Sequence, residues 1–106
     1  MTSGTTSKES VDATLTARGS LYGEFREQAN IAQNLKAVMA DSRNWPLLPD
    51  YMREGLEMIQ HKISRALNGD PFYDDNWHDI IGYASLIQLR AQEDVENVPN
   101  FAIQGV

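Results

Sequence analysis

A chain of 106 residues suits one domain and leaves no room for two. It contains no cysteine, which excludes a disulfide scaffold, a thiolate zinc site and cysteine nucleophilic catalysis, and which fits a reducing cytoplasm. A formal charge of −6 argues against a protein that grips DNA by neutralising phosphates, yet leaves room for a local basic pocket around one small anion.

Residues 1–10 are mostly Ser, Thr, Gly and Lys, a composition that reads as a disordered tail with nothing to bury. They lack the basic and apolar regions of a signal peptide, and no apolar stretch approaches the ~20 residues of a membrane span, so a cytoplasmic protein without membrane contact is expected. One α-helical domain is expected over residues 11–95. A short helical turn fits Val11 to Leu15, and the two glycines of Ala17 to Gly23 read as a turn.

The first strong helix spans about 24–40, where Phe25, Ala29, Ala32, Leu35 and Met39 recur at helical period. Acidic Glu24 and Glu27 open it and Lys36 stands near its end, both favourable to the helix dipole. Pro46 and Pro49 keep the next connection extended. A second helix, 50–68, carries a narrow seam of Met52, Leu56, Ile59, Ile63 and Ala66, and Asn68-Gly69 with Pro71 beyond gives its stop. The third, 75–93, has Trp77, Ile80, Ile81, Ala84, Ile87 and Ala91 as its expected buried face. Gly82 lies in mid-helix at a cost of ~1 kcal/mol, which suggests a close approach there. Asn97, Pro99 and Asn100 end regular structure and leave a C-terminal tail, 96–106. The expected fold is all-α, a bundle of three main antiparallel helices.

Two acidic pairs stand out. Glu54 and Glu57 share one face of the second helix, continued by His61 and Arg65, while Asp75 and Asp79 share a face of the third, with Tyr83 one turn on. An antiparallel pairing puts Asp75 and Asp79 near Lys62 and Arg65, with Glu54 further off. Such carboxylates can hold Mg²⁺ through oxygen ligands, act as general acid and base, or form solvated faces paired with Arg53, Lys62 and Arg65. Asp79, flanked by apolar residues, is expected to be half-buried and to need a cation or donors. A second candidate is Arg18-Gly-Ser-Leu-Tyr-Gly23, where Arg18, Ser20 and the amides of a glycine turn before a helix could hold an anion; the alternative is a capping turn with Tyr22 docked on the core. His61 and His78 are lone histidines that support no zinc site. Trp45 and Trp77 read as core or core-edge residues.

Three blocks, Arg18-Gly-Ser-Leu-Tyr-Gly-Glu-Phe25, Glu54-Gly-Leu-Glu-Met-Ile-Gln-His-Lys-Ile-Ser-Arg65 and Asp75-Asn-Trp-His-Asp-Ile-Ile-Gly-Tyr83, resemble a family of small bacteriophage and prophage proteins over roughly residues 17–90. The second and third helices are in turn similar to those of the all-α nucleoside triphosphate pyrophosphohydrolases of the MazG type. Those enzymes carry Glu-X-X-Glu on one helix and Glu-X-X-Asp at the start of the next, and bind magnesium with these acids. Glu54 and Glu57 match the first pair and Asp79 the last acid; the remaining position falls on Asn76, a departure for which Asp75 is the neighbouring substitute. The resemblance implies Glu54, Glu57, Asp75 and Asp79 as Mg²⁺ ligands, with Glu57 and Asp79 catalytic. Lys62 and Arg65 would meet phosphates, and Arg18 and Tyr22 would line the nucleotide site. It also implies a homo-oligomer, dimer or higher, in the host cytoplasm. The alternative is an accessory protein without turnover that binds a nucleotide signal or a host protein and blocks a host process.

Overall fold

The computed structural model describes residues 3–97, with side chains from 10 to 96, and shows an all-α bundle. Helix α1 spans Ser3–Tyr22, α2 Phe25–Ala40, α3 Asp50–Asn68 and α4 Asp74–Asn97, with a short 3-10 turn at Trp45–Leu47. No described helix is long and apolar enough to cross a membrane.

The ends of α2 and α3 follow from local chemistry. Glu24 caps α2, its carboxylate accepting from the Glu27 amide at 3.2 Å. The connection expected to be extended is so only at Leu48 and Pro49; Pro46 sits in the 3-10 turn, whose start suits its fixed φ and missing N–H. Gly69 closes α3 by donating to the Arg65 carbonyl at 2.9 Å. Helix α4 runs on to Asn97, past the expected stop near residue 93, because no breaker stands before Pro99. Burial, and then the hydrogen bond its hydroxyl donates to Asp94, push the Tyr51 phenol up to about 12 and tie the end of α4 to the start of α3. Of the expected C-terminal tail, residues 98–106 lie outside the described residues.

The N-terminal reading changes most. The backbone is already helical from Ser3, where an irregular tail is expected, and helix continues through Ala17–Tyr22, where a turn is expected. Gly19 sits inside this helix with open space around it, and the Thr14 and Thr16 hydroxyls bond back to the Ser10 and Asp12 carbonyls. With no proline before Tyr22, one tolerated glycine does not break the helix. The true corner is Gly23, at φ +83, where α1 gives way to α2.

Helix α3 is the centre of the fold and runs antiparallel to both neighbours. Gly55, Lys62 and Tyr51 meet Ile87, Asp79 and Asp94 of α4. Ser64 and Asn68 meet Gln28 and the Glu24 carbonyl of the α2 side. At ~100° per residue these two sets lie on opposite flanks of α3, so α2 and α4 are its outer neighbours. The interior is unusually polar. Gln28, Gln60, Ser64 and Asn76 are buried, whereas Ala32 and Ala66 are the buried hydrophobic residues described.

Two expected faces are therefore corrected. On α4 the side toward α3 carries Asn76, 1% exposed, while Trp77 and Ile81 of the expected buried face are 47% and 65% exposed. On α3, Ile63 of the expected seam is also exposed. On α4, apolar residues are spread so far around the helix that the pattern alone does not select the flank facing α3. Phe25, expected inside α2's stripe, is likewise exposed.

The glycine of close approach is Gly55, and Gly82 has nothing within 4 Å of an added methyl. A methyl on Gly55 would meet Ile87 Cδ1 at 2.5 Å and Cγ1 at 2.7 Å. Gly82→Ala is expected to stabilise the protein by about 1 kcal/mol through helix propensity. Gly55→Ala is expected to lose that gain and more to overpacking against a stiff isoleucine, for a net loss of about 1 kcal/mol. Urea unfolding of both variants checks the pair, and the opposite order would contradict the α3–α4 register.

Candidate functional site: a cationic cluster around Tyr22

The site begins with two chain corners pressed together. The Asn68 side-chain amide donates to the Tyr22 carbonyl at 2.9 Å and to the Glu24 carbonyl at 3.0 Å. The Asp70 amide donates to the Leu21 carbonyl at 2.8 Å. Glycine makes this approach possible on both sides. A methyl on Gly23 would lie 2.2 Å from the Asn68 carbonyl oxygen, and one on Gly69 would lie 2.1 Å from that of Leu21. The clasp brings the last turn of α1 against the last turn of α3.

Tyr22 is the side chain the clasp positions. The Arg65 guanidinium lies over its ring at 4.1 Å from the centroid, Arg18 lies over it at 5.2 Å, and Tyr73 meets it edge-on at 6.0 Å. Behind the ring, the Gln28 amide donates to the buried Ser64 hydroxyl at 3.0 Å, which itself donates to the His61 carbonyl at 2.7 Å. The Arg65 Nε is buried and has no hydrogen-bond partner.

His61 reports the local field. Burial holds its imidazole below the usual range, and then Arg65, Lys62, Lys36 and Arg18 push it the same way, each of them a cation. In a chain of net charge −6, that is a concentration of positive charge on one side of α3. Alongside, Leu15, Arg18, Tyr22, Phe25 and Gln28 line an open hollow of about 310 Å³ between α1 and α2. Arg18 borders both the hollow and the cluster.

The structure thus joins Arg18, Tyr22 and Arg65, with Lys62 beside them. It does so differently from the expected anion loop. The Ser20 hydroxyl donates to the Ala17 carbonyl, and the Gly23 amide is bound to the Gly19 carbonyl, so this stretch ends a helix and offers no glycine turn to an anion.

The four acids are not gathered. Lys62 Nζ lies 2.8 Å from the Asp79 carboxylate, with Asp79 about one-third exposed, and this hydrogen bond holds its carboxyl below the usual range. Level with Lys62, Asp79 stands ~7 Å along the helix axis from Glu57 and ~12 Å from Glu54, and Asp75 lies ~6 Å further the other way, at 1.5 Å per residue. Ligands to one Mg²⁺ sit about 2.0–2.1 Å from it. Among the described residues no group of three or more acidic or histidine side chains could hold a metal ion. The Asn76 position is buried, and its amide nitrogen has no hydrogen-bond partner. Within one chain these four acids are spread along α3 and α4 and form no single cluster among the described residues. His61 and Lys36 join this electrostatic cluster although neither is among the residues the sequence assigns to a site. The signal was His61, Lys62 and Arg65 on adjacent turns of one helix.

Comparison with protein-family models, curated proteins and solved structures finds no match to this chain.

Proposed function

We propose that the chain binds a small phosphorylated ligand of the nucleotide class, its phosphates meeting Arg18, Lys62 and Arg65 and its less polar part lying in the hollow beside Tyr22 and Phe25. The observation that carries this reading is the stack of Arg18 and Arg65 on Tyr22, in an acidic chain, with a buried guanidinium N–H left unpaired. Charge-assisted bonds from a guanidinium suit phosphate oxygens. A hollow of about 310 Å³ stands at the small end of the range for ligand sites, enough for a base or sugar.

The test is calorimetry and thermal shift at about 0.15 M salt with inorganic phosphate, pyrophosphate, a nucleoside and its mono- and triphosphate, each with and without Mg²⁺. Triphosphate is expected to bind best and free nucleoside weakly. The bound anion should also raise the His61 pKa, because it offsets the four cations that now favour the neutral ring; NMR of the imidazole follows this. No thermal shift at millimolar ligand together with an unmoved His61 would overturn the reading. Pyrophosphate release in the same samples would add turnover to binding.

A further inference from the structure

The clasp between α1 and α3 is also where the chain carries its Asn-Gly pair. Asn68 is followed by Gly69, whereas the other asparagines precede Ile, Leu, Trp, Val or Phe. A glycine nitrogen has no side chain beside it to keep it from the asparagine Cγ, and the freedom of the glycine backbone lets it swing there. In the folded chain several contacts restrain this attack. The Asn68 amide nitrogen donates to the Tyr22 and Glu24 carbonyls at 2.9 and 3.0 Å, which fixes the side chain. The Gly69 N–H donates to the Arg65 carbonyl at 2.9 Å, and the Asp70 amide holds the next peptide to the Leu21 carbonyl at 2.8 Å. Asn68 also ends α3 with a helical backbone, which turns the Gly69 nitrogen away from Cγ. Yet the residue is only half-buried, so water reaches it once the clasp parts.

We infer that Asn68 is a deamidation site protected by the clasp, and that its conversion opens the clasp irreversibly. In the open state the Gly69 nitrogen attacks Cγ of Asn68. The new C–N bond closes a five-membered succinimide, the bond from Cγ to the side-chain nitrogen breaks, and that nitrogen leaves as ammonia with the Gly69 proton. Water then opens the ring at either carbonyl and leaves an aspartate or an isoaspartate at position 68. One water is taken up and one ammonia released, with no oxidant or reductant. The product does not remake the contact. A carboxylate has no N–H for the Tyr22 and Glu24 carbonyls, and its oxygens would face theirs. An isoaspartate also lengthens the main chain by a methylene beside Gly69, where a single added methyl would already lie 2.1 Å from the Leu21 oxygen. Arg65 stands one turn before Asn68, and Arg18 one turn before Tyr22, so the cationic cluster comes apart with the corner. The lifetime of the cluster is thus set by how often the clasp opens.

The inference needs no ligand and stands or falls independently of the proposed function. Its test follows the full-length chain at mildly alkaline pH by chromatographic peptide mapping with mass detection, which locates the modified residue and separates isoaspartate from aspartate. The folded chain is expected to deamidate at Asn68 at least about 10-fold more slowly than the same chain in urea. That slowing should equal the hydrogen-exchange protection of the Asp70 amide, whose bond to Leu21 reports the same opening, and should be smaller than the protection of amides in the middle of α3. Gly23→Ala keeps the Asn-Gly pair and opens the clasp from the other side, so its rate should approach that in urea. Because Gly23→Ala can lose its fold along with the clasp, the exchange comparison on the unaltered chain is the second readout. Asn68→Asp, which reproduces one product, should stay helical with a lowered Tm. No modification at position 68 in urea, equal rates in the folded and unfolded chain, or a slowing as large as the protection of mid-α3 amides would overturn the inference. So would a Gly23→Ala protein that deamidates at the wild-type rate, or an Asn68→Asp protein that melts with wild type.

Discussion

Gly69→Ala is expected to cost at least about 3 kcal/mol of stability, a drop of roughly 15 °C in Tm for a domain of this size. The added methyl would lie 2.1 Å from the Leu21 carbonyl oxygen and 2.5 Å from the Tyr22 carbonyl carbon and Cα. These are backbone atoms, so no rotamer change relieves the clash. The clasp has to open, and with it go the two bonds from Asn68 and the bond from the Asp70 amide. Gly69 has φ −125, outside the left-handed region, and what requires glycine there is space. Gly23→Ala should be comparably harmful for two reasons at once. Its φ of +83 costs an L-residue about 1–2 kcal/mol, and its methyl would lie 2.2 Å from the Asn68 oxygen. The double variant is expected to cost little more than the worse single one, since one opening relieves both clashes. Urea unfolding followed by circular dichroism measures all three. A Gly69→Ala protein within 0.5 kcal/mol of wild type, on the order of ordinary surface substitutions, would mean that the two corners do not touch.

The second large effect concerns the ligand. Arg65→Met is expected to weaken binding of the best nucleotide by about 10- to 100-fold, the loss of one or two charge-assisted hydrogen bonds at 1.5–3 kcal/mol each. Stability should hardly fall. Methionine keeps the aliphatic stem and a sulfur contact to the Tyr22 ring, and it removes a buried N–H that has no partner. This separates a ligand-facing role from a structural one, because a purely structural arginine would lose stability and leave affinity per folded molecule unchanged. Arg65→Lys keeps the charge and loses the fork, so an intermediate affinity is expected. Calorimetry on the three proteins, each checked for its melting point, gives the comparison. Unchanged affinity in Arg65→Met would remove Arg65 from the site.

Much of the fold was legible because its signals are local. The apolar spacing from Ala29 to Met39, the stop at Asn68-Gly69 and the prolines at 46 and 49 each act within a turn or two, and α2 and α3 begin and end where those residues require. Helix α1 was not legible for a related reason. Gly19 and Gly23 look alike in sequence, yet one is an ordinary helical residue and the other turns the chain at positive φ. The facing of α4 was hidden by its own apolarity. Asn76 goes inward and Trp77 outward, with the Trp77 indole donating to the Pro71 carbonyl at 2.8 Å, an arrangement that only the position of α3 decides. In the site, Arg18, Tyr22, Lys62 and Arg65 stood out as residues, but their meeting depends on a contact between positions more than forty apart. Register explains the acids as well. Asp79 arrives level with Lys62, and the pairing that brings them together holds Glu54 and Glu57 at another height.

A fold in which one helix supports neighbours on opposite flanks has no cross-brace. Helices α2 and α4 are joined mechanically through α3, so a twist of α3 about its own axis moves the two flanks in opposite senses. Ile87 rests on Gly55 with no side chain between, so little cushions the motion before it reaches α4. The smallest residue on α3 thus makes the α4 flank the one where backbone and neighbouring side chain meet directly.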